Sequence, residues 1–180
     1  MASGNIVLAN TKSGFVPAAI RFMTDGQFSH SFVTMPNIYS IPMAIEAAEN
    51  GVDFTRFDTG YQNNTEESYQ VWQVNVSQKV KDAALVSILN DLETAYGYLE
   101  FFYFIWRKIC RSFGKDIKNK NNWAVNSGYI CSQLCVAYLK ACGLQSVFVG
   151  YGNGSIAPAD LYNIFMANPK IFKLVETVRL

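Results

Sequence analysis

Three of the chain's four cysteines fall in one short segment, "GYICSQLCVAYLKACG" (Gly128–Gly143), and its single histidine, His30, lies about a hundred residues earlier in "FSHSFVTM". A thiol and an imidazole make a nucleophile and its base if the fold brings them together. The cysteine segment has helical spacing, with Cys131, Cys135 and Cys142 on a face shared by Leu134, Tyr138 and Leu139. Most buried cysteines are small core residues, and Cys135 and Cys142 fit that role. They lie inside the helix and at its far end, where the helix dipole disfavours a thiolate. Cys131 falls in the first turn, after Ser127-Gly128, where unpaired backbone N–H groups and the positive end of the dipole lower a cysteine pKa below its usual ~8.5. The same N–H groups can face a developing oxyanion.

A base needs a polar partner on its second nitrogen. Glu46, in the otherwise apolar "MAIEAA", is the most anomalous carboxylate in the chain. It has two readings: exposure at a sheet edge, or a place on a strand beside that of His30, holding the tautomer of the ring. Cys131 and Cys135 are one helical turn apart, which would strain a disulfide between them. The cysteines lack the paired CxxC knuckles of a structural zinc site. No metal and no cofactor are therefore expected. "MASGNIVLAN" has no basic region followed by an apolar stretch, so a cytoplasmic location with free thiols is expected.

The elements that must position these residues can be read from the periodicity. Strands are expected at "NIVLAN" (Asn5–Asn10), "SHSFVTM" (Ser29–Met35), "SYQVWQVNV" (Ser68–Val76) and the terminal "IFKLVETV", with a hairpin of "PMAIEAAENG" and "VDFTRF" turning near Asn50-Gly51. A brief helix follows Pro17, and Val80 to Leu92 has an amphipathic helical period. Further helices cover Glu100 to about Cys110, Ile130 to Cys142 with Gly143 as its stop, and the segment between Pro158 and Pro169. Ser112 to Ser127 reads as a polar loop. Strands dominate the first half and helices the second, which predicts an α+β fold in one domain, 1–180, with no repeat or linker.

Of the 180 residues, half are apolar and 16% charged, at a formal net charge of +1. That composition argues against disorder and gives no electrostatic reason to expect nucleic acid. No GxGxxG or phosphate loop is present. The longest apolar run is far short of the ~20 residues that cross a bilayer. One local imbalance stands out. Arg107, Lys108, Arg111, Lys115, Lys118 and Lys120 oppose a lone Asp116 after the aromatic run "FFYFIW". The run is either a solvated loop or, with Phe101–Arg111, a face that meets a membrane surface.

The order of these segments resembles the circularly permuted papain-like proteins related to NlpC-type cell-wall peptidases, especially the YiiX-like group and, more distantly, the lecithin retinol acyltransferases. "GFVPAAIRFMTDGQFSH" resembles their helix leading into a Ser-His strand, "AIEAAENGV" their Ile-Glu-Ala strand and turn, "YICSQL" their Cys-Ser-Glu-Leu nucleophile segment, and "SIAPADLYN" their Pro-Ala-Asp-Leu helix. The resemblance implies an antiparallel sheet or small barrel packed against helices that include the nucleophile helix. It also implies a cysteine hydrolase with Cys131 as nucleophile, His30 as base and Glu46 as the orienting third residue. Its substrate would be a peptide, a peptidoglycan fragment or a lipid-type acyl group, and a non-catalytic binding module on the same fold is the competing reading. Three places depart from the pattern: Ser31 and Phe32 where a small glycine often follows the histidine, Gln133 where Glu is frequent, and Gly97 where Asp often follows Tyr. Phe32 shares a strand face with His30 and would narrow the pocket.

Overall fold

The two strands in the middle of the sheet are buried on both faces over Ile6–Ala9 and Ser31–Thr34, and so lack the alternation of a half-buried strand there. The computed structural model describes residues 2–11, 15–65, 67–97, 99–118, 128–152 and 154–179. Its strands are β1 (Ile6–Thr11), β2 (His30–Ile38), β3 (Ile41–Ala48), β4 (Gly51–Arg56), β5 (Glu67–Val74) and β6 (Phe172–Val178). They form one antiparallel sheet in the order β4-β3-β2-β1-β5-β6. Of the two arrangements expected, this is the open sheet: β4 and β6 are its edges, and no barrel closes. The helices are α1 (Phe15–Thr24), α2 (Gln78–Leu89), α3 (Leu99–Ser112), α4 (Cys131–Ala141) and α5 (Pro158–Ala167). Among the described residues no helix is long and apolar enough to cross a membrane.

One face of the sheet carries Ile6, Leu8, Val33, Ile45, Ala47, Trp72 and Val74 against α2, α4 and α5, which supply Leu85, Leu134, Leu139, Leu161 and Phe165. The opposite face carries a smaller cluster, with Val7, Ala9, Phe32, Ala44, Tyr69 and Val71 packed on Phe57 and Tyr61. Phe57 directly follows β4, yet its ring lies 5.4 Å from that of Tyr69 on β5. Four flat strand spacings would separate those strands by roughly 19 Å, so the sheet curls strongly around this aromatic plug. Truncating such a buried ring costs about 3–5 kcal/mol.

The hairpin that holds Glu46 turns at Glu49-Asn50, and Gly51 follows with φ of +101°. A Cβ there would lie 2.5 Å from the Thr94 carbonyl oxygen, so both backbone angle and space require glycine. Gly143 ends α4 at φ of +80°, as its sequence position predicts. The basic run is not a loop throughout. Arg107, Lys108 and Arg111 belong to α3, and Arg107 is buried in a paired network with Asp160 and Asp116. Residues 119–127 of the expected Ser112–Ser127 loop, with Lys120, lie outside the described residues, as do the side chains of Phe101 and Phe102.

Candidate active site

Strand register places the first two groups. Val33 pairs with Ile45, which sets Glu46 opposite Phe32 and therefore diagonal to His30 on the same face of the sheet. Long polar side chains span that diagonal. His30 Nε2 lies 2.6 Å from Glu46 Oε2. His30 is the first residue of β2, so its ring stands at the rim of the sheet, where the N-terminus of α4 arrives. There it interacts electrostatically with the Cys131 sulfur. With Nε2 engaged by Glu46, Nδ1 is the ring nitrogen that remains for the thiol.

Cys131 is the first residue of α4, and Ile130 ahead of it is extended. The helix start is fixed by Gln133, whose side-chain oxygen accepts the Ile130 N–H at 2.9 Å. Ser132 anchors the same turn by donating to the Ile156 carbonyl at 2.6 Å. Cys135 and Cys142 are buried in the core formed with Leu134, Tyr138 and Leu139.

The charges favour an ion pair. Burial pushes the Cys131 thiol up, but the adjacent His30 imidazolium and the Ser31 N–H and hydroxyl hold it below the ordinary thiol value. Burial pushes His30 down, yet the Cys131 sulfur and then Glu46 outweigh it and raise the imidazole to about 10. Glu46 is raised by burial and lowered further by His30, Thr55 and Tyr61, ending at about 2. Cys135, in contrast, is driven well above the thiol range by burial. A thiolate beside an imidazolium, with a carboxylate behind it, can attack a carbonyl and then return a proton to the leaving group.

Two residues join the site without having been singled out in the sequence. Tyr61 donates its hydroxyl to Glu46 Oε2 at 2.7 Å and lies parallel to the His30 ring, 6.5 Å between centroids. It sits in a single π-helical turn, Asp58–Gln62, a distortion often found at functional sites. Ser31 is fully buried next to the Cys131 and Cys135 sulfurs, and its hydroxyl has no hydrogen-bond partner among the described residues.

Phe32 does share the face of His30, but its ring packs on Tyr61 and Phe57 at 4.4 and 5.6 Å. It belongs to the aromatic plug behind the site and does not line the cavity at Cys131. That cavity measures about 20 Å³ and is almost wholly apolar, bounded by Ile20, Met23, Tyr96, Phe104, Ile130 and Ala157 with Cys131 at its base. Cys131 itself is only 2% exposed. Among the described residues no three His, Cys, Asp or Glu side chains converge as a metal-binding set.

The molecule is thus an α+β protein in which a helix-borne thiol, a strand-borne imidazole and a neighbouring carboxylate stand in line. No family model matches the sequence, and no curated protein does. Among solved structures, the chain is similar to the metalloprotein yiiX from Escherichia coli O157:H7, a DUF1105 protein, with a TM-score of 0.57 over 97% of this chain and 96% of that one. At 14% identity the likeness is one of fold.

Proposed function

We propose that the chain is a cysteine hydrolase of the permuted papain-like kind, cleaving an amide or ester bond through an acyl-enzyme on Cys131. The observation that carries this reading is the line Cys131–His30–Glu46, with the sulfur at a helix N-terminus and the imidazole held at 2.6 Å by a carboxylate. The Cys131 thiolate attacks the carbonyl carbon. The amides that open α4 face the oxyanion. His30 gives its proton to the departing amine or alcohol, then takes one from the water that releases the acyl group and restores the thiolate. Glu46 keeps the imidazolium oriented and charge-balanced throughout. Peptide or peptidoglycan-type amides are the first substrate class, and a reducing compartment such as the cytoplasm suits the free thiol. The apolar lining of the cavity favours a second class, lipid-type acyl esters. The neighbour's description as a metalloprotein is a statement about that protein. Here His30 stands between Glu46 and Cys131, and the proposed steps use only these three side chains.

The test is thiol labelling near neutral pH with an iodoacetamide probe, read by mass spectrometry. Wild type should be modified first at Cys131. Cys135→Ala should keep that reactivity and lose about 1 kcal/mol of stability through a small cavity, whereas Cys131→Ala should lose it together with turnover. Fast labelling that persists in Cys131→Ala would transfer the role of nucleophile elsewhere, and the absence of any preferred cysteine would leave a binding module.

A further inference from the structure

The cavity at Cys131 is roofed by α1 and α3, whose inner sides supply Ile20, Met23 and Phe104. Their outer side should be polar if it faced only water. It is not. On α1, Phe22 is 71% exposed, and along α3 and its last turn Ile105, Ile109 and Phe113 recur four residues apart at 44, 45 and 79% exposure, with Trp106 beside them at 49%. A shallow groove between the helices is lined by Ala19, Phe22, Met23, Ile105 and Ile109, with Lys108 and Ser112 at its edge. Met23 belongs both to this groove and to the cavity, so the two are separated by one side chain.

One cation borders the groove, and others follow it in the chain. Lys108 lies 4.4 Å from the centroid of the Phe22 ring and pairs with Asp25. Arg111 is partly exposed and pairs with Asp116 and, at 3.9 Å, with Asp160, Lys115 is exposed, and Lys118 lies 4.9 Å from the centroid of the Tyr151 ring, so the end of α3 and the segment after it are rich in cations. Protein–protein interface cores are poor in lysine, whereas a lipid surface takes apolar and aromatic side chains at the acyl boundary and lysines at the headgroups.

We propose that the outer face of α1 and α3 is a docking surface for an anionic lipid bilayer. Docking lays the roof of the cavity on the membrane and brings the Cys131 site next to the acyl-chain region. The inference does not rest on thiol chemistry, because binding uses none of Cys131, His30 or Glu46.

The experiment is flotation of the purified chain with vesicles of about 30% phosphatidylglycerol in phosphatidylcholine, compared with phosphatidylcholine alone. The protein should float with the anionic vesicles and much less with the neutral ones. Ile109→Ser combined with Phe113→Ser should weaken binding at least about tenfold, since each exposed side chain loses an apolar transfer term. Lys115→Glu combined with Lys118→Glu should weaken it about tenfold at low salt and less as salt is added. Cys131→Ala should bind as wild type does, so that loss of docking and loss of the hydrolase reading are told apart. Wild type left unbound by anionic vesicles, or undiminished binding by the Ile109→Ser, Phe113→Ser variant, overturns the proposal. So does self-association abolished by that variant without vesicle binding, which would assign the face to a second copy of the chain.

Discussion

His30 is the chain's single histidine, and it is held between a sulfur and a carboxylate, so its titration reports the site without overlap from another imidazole. The largest influence raising it is Cys131, with Glu46 next, against a burial effect that works the other way. Its imidazole resonances in NMR should therefore titrate near 10 in wild type and at clearly lower pH in both Cys131→Ala and Glu46→Gln. A wild-type midpoint near the ordinary 6.5 would mean that no thiolate–imidazolium pair forms. At this scale the sequence was informative wherever residue type was rare or misplaced. A lone histidine, a first-turn cysteine and a carboxylate in an apolar strand are each visible without a fold, and the structure brings His30, Cys131 and Glu46 together. Tyr61 and Ser31 left no such trace. A tyrosine in a polar stretch and a serine beside a histidine are common, and their importance arises from register and burial, which local pattern does not carry.

Elements were legible where periodicity was strong. β5, α2 and α5 fall close to their expected limits because alternation or a helical stripe is written into them, and Ser77 caps α2 at the point where the period changes. The π-helical turn Asp58–Gln62 was not legible, since one irregular turn has no repeating signal. Its effect is to aim Tyr61 at Glu46 from the side opposite the helices. Tyr61→Phe keeps the ring in the aromatic plug with Phe32 and Phe57 but removes a hydrogen bond to a buried carboxylate. Loss of a bond to a charged group costs about 1.5–3 kcal/mol. Urea unfolding should show a destabilisation of that size with an unchanged m-value. A change below a few tenths of a kcal/mol would show that the Tyr61 hydroxyl contributes nothing to holding Glu46.

Over the whole molecule, these pKa displacements make stability depend on pH in a way that identifies the ion pair. Glu46 and Asp116 are each depressed to about 2, so what they contribute is complete above their ordinary values of 4.5 and 3.8 and is lost as pH falls towards 2. Cys131 is depressed from 9.0: between its folded value and 9.0 the unfolded chain carries one proton more, and stability rises with pH. His30 is raised from 6.5 to about 10: within that span the folded chain carries one proton more, and stability falls with pH. Between 6.5 and 9 the falling contribution of His30 is opposed by Cys131 wherever that thiol is ionised in the folded chain. Above 9 the His30 loss is joined by those of buried Cys135 and Cys142, both pushed up by burial, and buried Tyr69, raised to about 12, adds a further fall beyond 10. Urea-unfolding free energies taken along the pH scale should therefore climb from acid, fall less between about 6.5 and 9 than His30 alone would dictate, and drop more steeply thereafter. Cys131→Ala removes the rising component, so any decline left in His30 should run unopposed from 6.5. A wild-type curve that falls steadily from pH 6.5, superimposable on that of Cys131→Ala, would show that Cys131 carries no charge in the folded protein, and the thiolate would have to be generated only when substrate binds.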